Sequence, residues 1–182
     1  MLVSGISMNV QPLFASSVFS ISDSCEVYQV LSYDYVDLNG VYQELLNNQI
    51  EFQKEVKKLR LNMAEFLAAE KVYINDQRVD QRILHMDIGL RGSADVPYFQ
   101  WVIHFQGTPS PGENSLKSDV ETEIAEYDIE VLYLFPQGTQ ILDVITPMEN
   151  EVRGSLLLVW ARKGDTVGGH EEVRFRFPHA LK

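Results

Sequence analysis

Cysteine is almost absent from this 182-residue sequence, which contains only Cys25. One cysteine cannot form a disulfide within the chain, so a disulfide-stabilised scaffold is excluded. A lone thiol is typical of proteins in a reducing compartment. There is also no basic residue before Lys54, where a secretory signal would need positive charge. We therefore expect a cytoplasmic protein.

Long apolar runs and clustered positive charge are also scarce. No stretch approaches the roughly 18 consecutive apolar residues of a membrane-spanning helix. The 15 Lys and Arg residues are outnumbered by 26 Asp and Glu residues, which gives a net charge of −11. Lys54, Lys57, Lys58 and Arg60 form the only basic cluster. Because nucleic acids and anionic membranes are bound through basic surfaces, neither is an expected partner.

Motifs of nucleophilic catalysis and of phosphate binding are missing as well. The sequence contains neither a Gly-x-Ser-x-Gly motif nor a glycine-rich phosphate-binding loop. Cys25 has no histidine near it in the sequence, and a lone cysteine of this kind is typically a small hydrophobic residue. We predict no cofactor and expect no metal ion.

The apolar pattern predicts an α+β fold. It indicates an N-terminal strand pair over residues 13–36 and a long helix over residues 40–70. Period-two alternation over residues 71–178 then indicates strands. Short connections favour one large, curved antiparallel sheet, a meander, with the helix packed on it. We expect a single domain over residues 1–182, frayed over residues 1–9. The pattern leaves open whether the N-terminal strands join the main sheet.

The predicted helix carries a narrow apolar seam with alternating gaps of three and four residues, a pattern typical of coiled coils. One interpretation is that this seam packs on the sheet. The other is that part of it pairs with the same helix of a second copy, which predicts a homo-oligomer, with a dimer favoured. The candidate interface residues are Leu45, Phe52, Val56, Leu59, Met63 and Phe66.

Acidic residues along residues 120–135, which we predict to form one strand, change phase. Glu121 and Glu123 occupy odd positions, whereas Glu126 and Glu130 occupy even ones. A β-bulge near Ala125 would keep them on one face. That face is either a surface for a cation or a basic partner, or a solvated face that prevents aggregation.

Residues 167–175 combine two glycines with His170 and two glutamates, which suggests a metal site. Alternation places Val173 and Glu171 on the core face, and His170 on the other face with Arg174 and Arg176. Two guanidinium groups would repel a divalent cation. We therefore interpret the glycines as a turn before the strand, and expect the glutamates to pair with the arginines.

A better set of metal-ligating side chains flanks the hairpin around residues 91–97. A register centred on this loop places His85 opposite His104, with Asp87 diagonal to His104 on the same face. Two imidazoles and a carboxylate could bind a transition metal or act as an acid–base pair. A register shift of two residues would instead place His85 opposite Val102.

Aromatic residues provide the last candidate site, a ligand cavity between the sheet and the helix. The alternative is that these aromatic side chains simply fill the core. The leading hypothesis is a non-enzymatic binding or assembly module that self-associates and recognises a protein or an apolar small molecule. The second hypothesis is a metal-dependent or acid–base enzyme that uses His85, His104 and Asp87. The residues considered for the cavity are Phe99, Trp101, Phe105, Tyr133 and Trp160.

Overall fold

The computed structural model describes residues 10–178, and its strands form two sheets. The expectation for residues 1–9 lies outside this range. The α+β class with antiparallel sheet is confirmed. The elements are β1 Val10–Ile21, β2 Glu26–Asp37, α1 Val41–Leu46, α2 Gln49–Ala69, β3 Lys71–Ile74, β4 Gln77–Arg78, β5 Arg82–Leu90, β6 Pro97–Gln106, β7 Glu113–Ile124, β8 Asp128–Leu134, β9 Gln140–Ile145, β10 Glu149–Arg153, β11 Leu156–Ala161 and β12 Thr166–Arg176.

The larger sheet has seven strands in the order β10-β11-β8-β1-β2-β6-β5. The N-terminal strands lie in its middle, which answers the question that the sequence left open. The topology differs from a simple meander because β1 and β8 pair in parallel, from Phe14 opposite Asp128 to Ser20 opposite Leu134. Parallel neighbours require a long connection, and here that connection passes through both helices and the second sheet.

The second sheet has five strands in the order β4-β3-β7-β12-β9. Residues 120–135 are shared between the sheets, since β7 ends at Ile124 and β8 begins at Asp128. The predicted bulge at Ala125 is therefore wrong. The Ala125 N–H donates to the carbonyl of Asp165, and the Ala125 carbonyl accepts from the Gly164 N–H, each at 2.8 Å. The acidic residues change phase because the chain crosses from one sheet to the other.

The predicted helix over residues 40–70 is divided in two at Asn47 and Asn48. The side chain of Asn48 accepts a hydrogen bond from the N–H of Glu51 and so caps α2. None of the helices described between residues 10 and 178 has both the length and the apolar character needed to cross a membrane.

The apolar seam of the helices packs on the chain's own core. Leu59 and Met63 are 0% and 4% exposed, so these two candidates for a subunit interface are not accessible to a second copy. The other four candidates, Leu45, Phe52, Val56 and Phe66, are partly buried against the same core. The interpretation in which the seam covers the sheet therefore accounts for these side chains.

Strand β6 supplies the centre of that core. Its odd positions Phe99, Trp101, Ile103 and Phe105 are all buried, as the alternation predicts. The ring of Tyr42 from α1 lies 5.0 Å from that of Phe99. The helices thus cover one end of the large sheet, and the second sheet faces the remainder of the core.

Candidate ligand-binding site

A cavity of about 250 Å³ lies between the two sheets. The C-terminal end of α2 contributes Phe66 and Leu67 to its wall, and the link between β9 and β10 contributes Met148. Side chains from the two sheets form most of the apolar wall, among them Phe19, Leu31, Val131, Val120 and Val173.

Two carboxyl groups line this cavity. Glu70 follows the last residue of α2, and its carboxylate accepts a hydrogen bond from Gln81 Nε2 at 3.1 Å. Glu171 on β12 accepts from Thr146 Oγ1 at 3.1 Å. Burial raises the pKa of both carboxyls, and negative charge on Glu70 raises the pKa of Glu171 further. The two groups are therefore electrostatically coupled.

Alternation along β12 directs Glu171 inward. Glu171 pairs with Ser118 of β7 and shares its face with Val173, as the sequence predicts. The turn predicted before this strand is wrong, because β12 already begins at Thr166 and the glycines form a bulge within it. Gly168 has a φ of 76°, and a Cβ there would lie 2.3 Å from the carbonyl oxygen of Glu121. Only glycine fits this close approach.

His170 lies on the outer face of β12, where its Nδ1 is 2.7 Å from Asp119 Oδ1. The Asp119 carboxylate raises the pKa of this histidine. The expected glutamate–arginine pairs do not form. Glu172 lies 3.7 Å from Lys117, and Arg174 pairs with carboxylates of β7 and β9. The partners come from neighbouring strands, which the sequence of β12 alone does not identify.

The hydroxyl groups of Tyr33 and Tyr133 belong to the cavity wall. Neither has a hydrogen-bond partner within residues 10–178. Burial raises the pKa of both phenols far above the ordinary value, so both stay neutral. The Tyr133 ring stacks on Phe19 at 4.7 Å, and the edge of Tyr127 meets Tyr33 at 6.2 Å. Aromatic faces and free hydroxyls therefore border the same space as the carboxyls.

Positive charge in the cavity wall is already neutralised. Among the described residues that line it, Lys117 is the only base. Its Nζ lies 2.6 Å from Asp76 and 3.7 Å from Glu172. Neither Glu70 nor Glu171 forms an ion pair with a base in the described part of the chain. The cavity is thus apolar with an excess of negative charge.

A groove of about 510 Å³ adjoins this cavity on the outer side of α2. It runs between α2 and residues 78–83. Leu67, Glu70 and Gln81 line both the groove and the cavity. The hydrogen bond between Glu70 and Gln81 therefore lies at the boundary between the two spaces.

The structure divides the five predicted cavity residues. Phe105 and Tyr133 line the cavity. Phe99 and Trp101 are fully buried in the core beside the helices, and neither they nor Trp160 belong to the lining. Trp160 lies on β11 opposite Glu149. The prediction failed for these three because the cavity lies between two sheets rather than between a sheet and the helix.

Sequence reasoning missed other residues of the site. The sequence did carry a signal for Glu171, because a charged residue on an otherwise apolar strand face stands out. Glu70, Tyr33 and Phe19 carried no comparable signal, because only the three-dimensional fold places the end of α2 beside β1 and β2.

The predicted pairing of His85 with His104 is wrong. His85 lies opposite Val102, and His104 lies opposite Arg82. The hairpin holds β5 and β6 two residues out of the predicted register, since Leu90 lies opposite Pro97 and His85 opposite Val102. Alternation does not reveal this difference, because a shift of two residues leaves every side chain on the same face.

The candidate metal ligands are consequently separated. Asp87 lies opposite Gln100, and His104 Nε2 lies 3.1 Å from Glu26 Oε1. No group of three His, Cys, Asp or Glu side chains within residues 10–178 has an arrangement that could hold a metal ion.

Comparisons with known proteins give distant structural likeness alone. No family model and no curated protein matches the sequence. The folded domain of Mycobacterium tuberculosis LppM has a TM-score of 0.46 and 7% identity, over 97% of this chain and 96% of that domain. A putative protease from Parabacteroides distasonis has a TM-score of 0.37 at 8% identity, and leukotriene A4 hydrolase from Saccharomyces cerevisiae 0.36 at 9%.

These last two matches cover 94% and 92% of this chain but only 41% and 29% of the respective proteins. The chain therefore spans less than half the length of either. Likeness at this level indicates neither a site nor an activity.

Proposed function

We propose that the protein is a binding module that holds an apolar small molecule in the cavity between its two sheets. The observation that carries the proposal is the cavity of about 250 Å³ with a largely apolar wall. Protein interiors are close-packed, and voids larger than a water molecule are few. A cavity lined by aromatic and aliphatic side chains with a few polar groups is typical of small-molecule sites.

Binding is better supported than catalysis by the residues first considered for an enzyme. None of His85, His104 and Asp87 lies opposite another of the three, because their cross-strand partners are Val102, Arg82 and Gln100, respectively. The assembly half of the leading hypothesis has no comparable support, because Leu59 and Met63 are buried within the chain. The cavity is therefore the feature on which the proposal rests.

A cavity-filling variant tests this proposal. Val120→Phe places a larger side chain in the cavity wall, whereas Val152→Phe makes the same change at an exposed position of β10. Titration calorimetry with toluene is expected to show binding by the wild type and by Val152→Phe. We expect the Val120→Phe affinity to fall by about tenfold or more, a loss of about 1.4 kcal/mol.

Thermal unfolding of each variant verifies that the fold is retained. Equal affinity for Val120→Phe and the wild type would place the ligand elsewhere and contradict the proposal. The absence of toluene binding by the wild type would contradict it as well.

A further inference from the structure

We propose that the cavity selects an apolar amine, a compound whose ammonium group lies between Glu70 and Glu171 while its aromatic or alkyl skeleton fills the apolar space. This inference rests on the proposed function and names the chemical class of the ligand. It follows from the charge of the wall, its aromatic groups and its size.

Charge is the first argument. Glu70 and Glu171 line the cavity without an ion pair in the described residues, and Lys117 is already held by Asp76 and Glu172. A buried carboxylate is costly unless a positive charge or several hydrogen bonds offset the loss of water. Each carboxylate accepts one hydrogen bond from a neutral donor, Gln81 or Thr146. A cationic ligand would supply the missing positive charge to both.

The aromatic wall is the second argument. The rings of Phe19, Tyr33, Phe66, Tyr127 and Tyr133 all border the cavity. Ring faces attract cations, and cages of aromatic side chains are a common way to bind ammonium groups. The unpartnered hydroxyls of Tyr33 and Tyr133 are also acceptors for the three N–H donors of an ammonium group. Carboxylates, ring faces and free hydroxyls thus favour the same ligand group.

Size and charge together disfavour other ligands. A cavity of about 250 Å³ favours a compact ligand over a nucleotide or a peptide. An apolar carboxylic acid would bring a third negative charge beside two carboxyls. An apolar alcohol would fit the space but offers a single donor and no charge.

The ionisable groups around the site predict how binding depends on pH. Glu70 faces the cavity from the end of α2 and Glu171 from β12. The phenols of Tyr33, Tyr127 and Tyr133 face it from β2, the segment before β8 and β8, respectively, and the Lys117–Glu172 pair from β7 and β12. Burial raises the pKa of both carboxyls and of the three phenols, and the charge of His170 partly lowers the pKa of Glu171. Because an ammonium group favours ionised carboxylates, amine affinity should increase as the pH rises through the raised carboxyl pKa values.

Three probes with one skeleton test the inference: phenethylamine, phenethyl alcohol and phenylacetate. Calorimetric titration of the full chain at neutral pH should give phenethylamine an affinity about tenfold higher than that of phenethyl alcohol, a difference of about 1.4 kcal/mol. Phenylacetate should bind most weakly. Glu70→Gln and Glu171→Gln should each reduce the affinity for the amine severalfold and leave the affinity for the alcohol unchanged.

Glu130→Gln is the matched control, because Glu130 lies exposed on β8. It should leave the affinities for all three probes unchanged. Equal affinity for amine and alcohol, or amine binding that is insensitive to both cavity substitutions, would overturn the inference while toluene binding upholds the proposed function. If toluene and all three probes fail to bind the wild type, the proposed function falls together with the inference.

Discussion

At the scale of the residue, Glu171 shows how a carboxyl group in a binding site can lower the stability of the folded chain. Burial raises the pKa of its carboxyl in the folded chain above the ordinary value of 4.5. The folded state therefore binds a proton more tightly than the unfolded state. The contribution of this group to stability is present below the ordinary pKa and is lost as the pH rises through the raised value.

We expect Glu171→Gln to raise the free energy of unfolding relative to the wild type at neutral pH, because the amide carries no charge to desolvate. The difference should shrink to near zero below the ordinary carboxyl pKa. Denaturant unfolding at a series of pH values measures it, with Glu130→Gln as the exposed control. A constant loss of stability across the series would show that the hydrogen bond from Thr146 outweighs the burial of charge.

Gly168 provides the second test at this scale. Its positive φ and its approach to the Glu121 carbonyl oxygen allow no side chain. Gly154 has a similar φ of 65°, and a Cβ added there would meet nothing within 4 Å, so it is the matched control. We expect Gly154→Ala to lower the free energy of unfolding by about 1 kcal/mol, because alanine must adopt the left-handed backbone there. Gly168→Ala should lower it by about 1 to 3 kcal/mol more, because the added Cβ clashes with the Glu121 carbonyl oxygen. Denaturant unfolding that gives equal losses would contradict this account of the bulge.

At the scale of the element, α2 tests whether its seam belongs to the core or to an interface. Leu59 is fully buried, whereas Leu61 on the same helix is 56% exposed. We expect Leu59→Ala to lower the free energy of unfolding by about 2 to 5 kcal/mol. Leu61→Ala should change it by less than about 0.5 kcal/mol.

The same experiment distinguishes packing from self-association. A seam that packs on its own sheet gives unfolding midpoints that do not depend on protein concentration. A seam shared with a second copy would make them rise with concentration, because association stabilises the folded state by mass action. Such a dependence, lost in Leu59→Ala, would contradict the assignment of the seam to the core.

Strand faces were predictable from the sequence where the strand was regular. In β6 the odd positions are buried, and in β12 Glu171 shares the core face with Val173. Prediction failed at a bulge and in the hairpin register. The shift between Ile83 and His85 leaves Leu84 52% exposed, and the hairpin register places His85 opposite Val102 rather than His104. Alternation reports which side chains share a face only while the backbone follows a regular pleat.

At the scale of the whole molecule, the sequence predicted the fold class but neither the two sheets nor the cavity between them. The partner of β1 is β8, more than a hundred residues later in the chain. No local pattern identifies such a partner. The cavity depends on which sheet faces oppose each other, so its aromatic and acidic residues could be assigned only once the strands had their positions.

The strand order also predicts which strands of the large sheet unfold last. Strands β1 and β2 have neighbours on both sides, whereas β5 and β10 form the edges of the same sheet. Amide hydrogens exchange most slowly in the elements that open only on global unfolding. Hydrogen exchange followed by mass spectrometry should therefore show the slowest exchange in β1 and β2. Faster exchange there than in β5 and β10 would contradict the order of the seven-stranded sheet.

The central claim, that the space between the sheets is a ligand site, is tested most directly by crystallography with bromobenzene, an apolar compound with an anomalous scatterer. The account predicts a bromine peak inside the cavity, in contact with side chains such as Val120 and Tyr133. Crystals of Val120→Phe should lose that peak, and crystals of Val152→Phe should retain it. A peak found only in the outer groove along residues 78–83, or no peak at all, would contradict the claim.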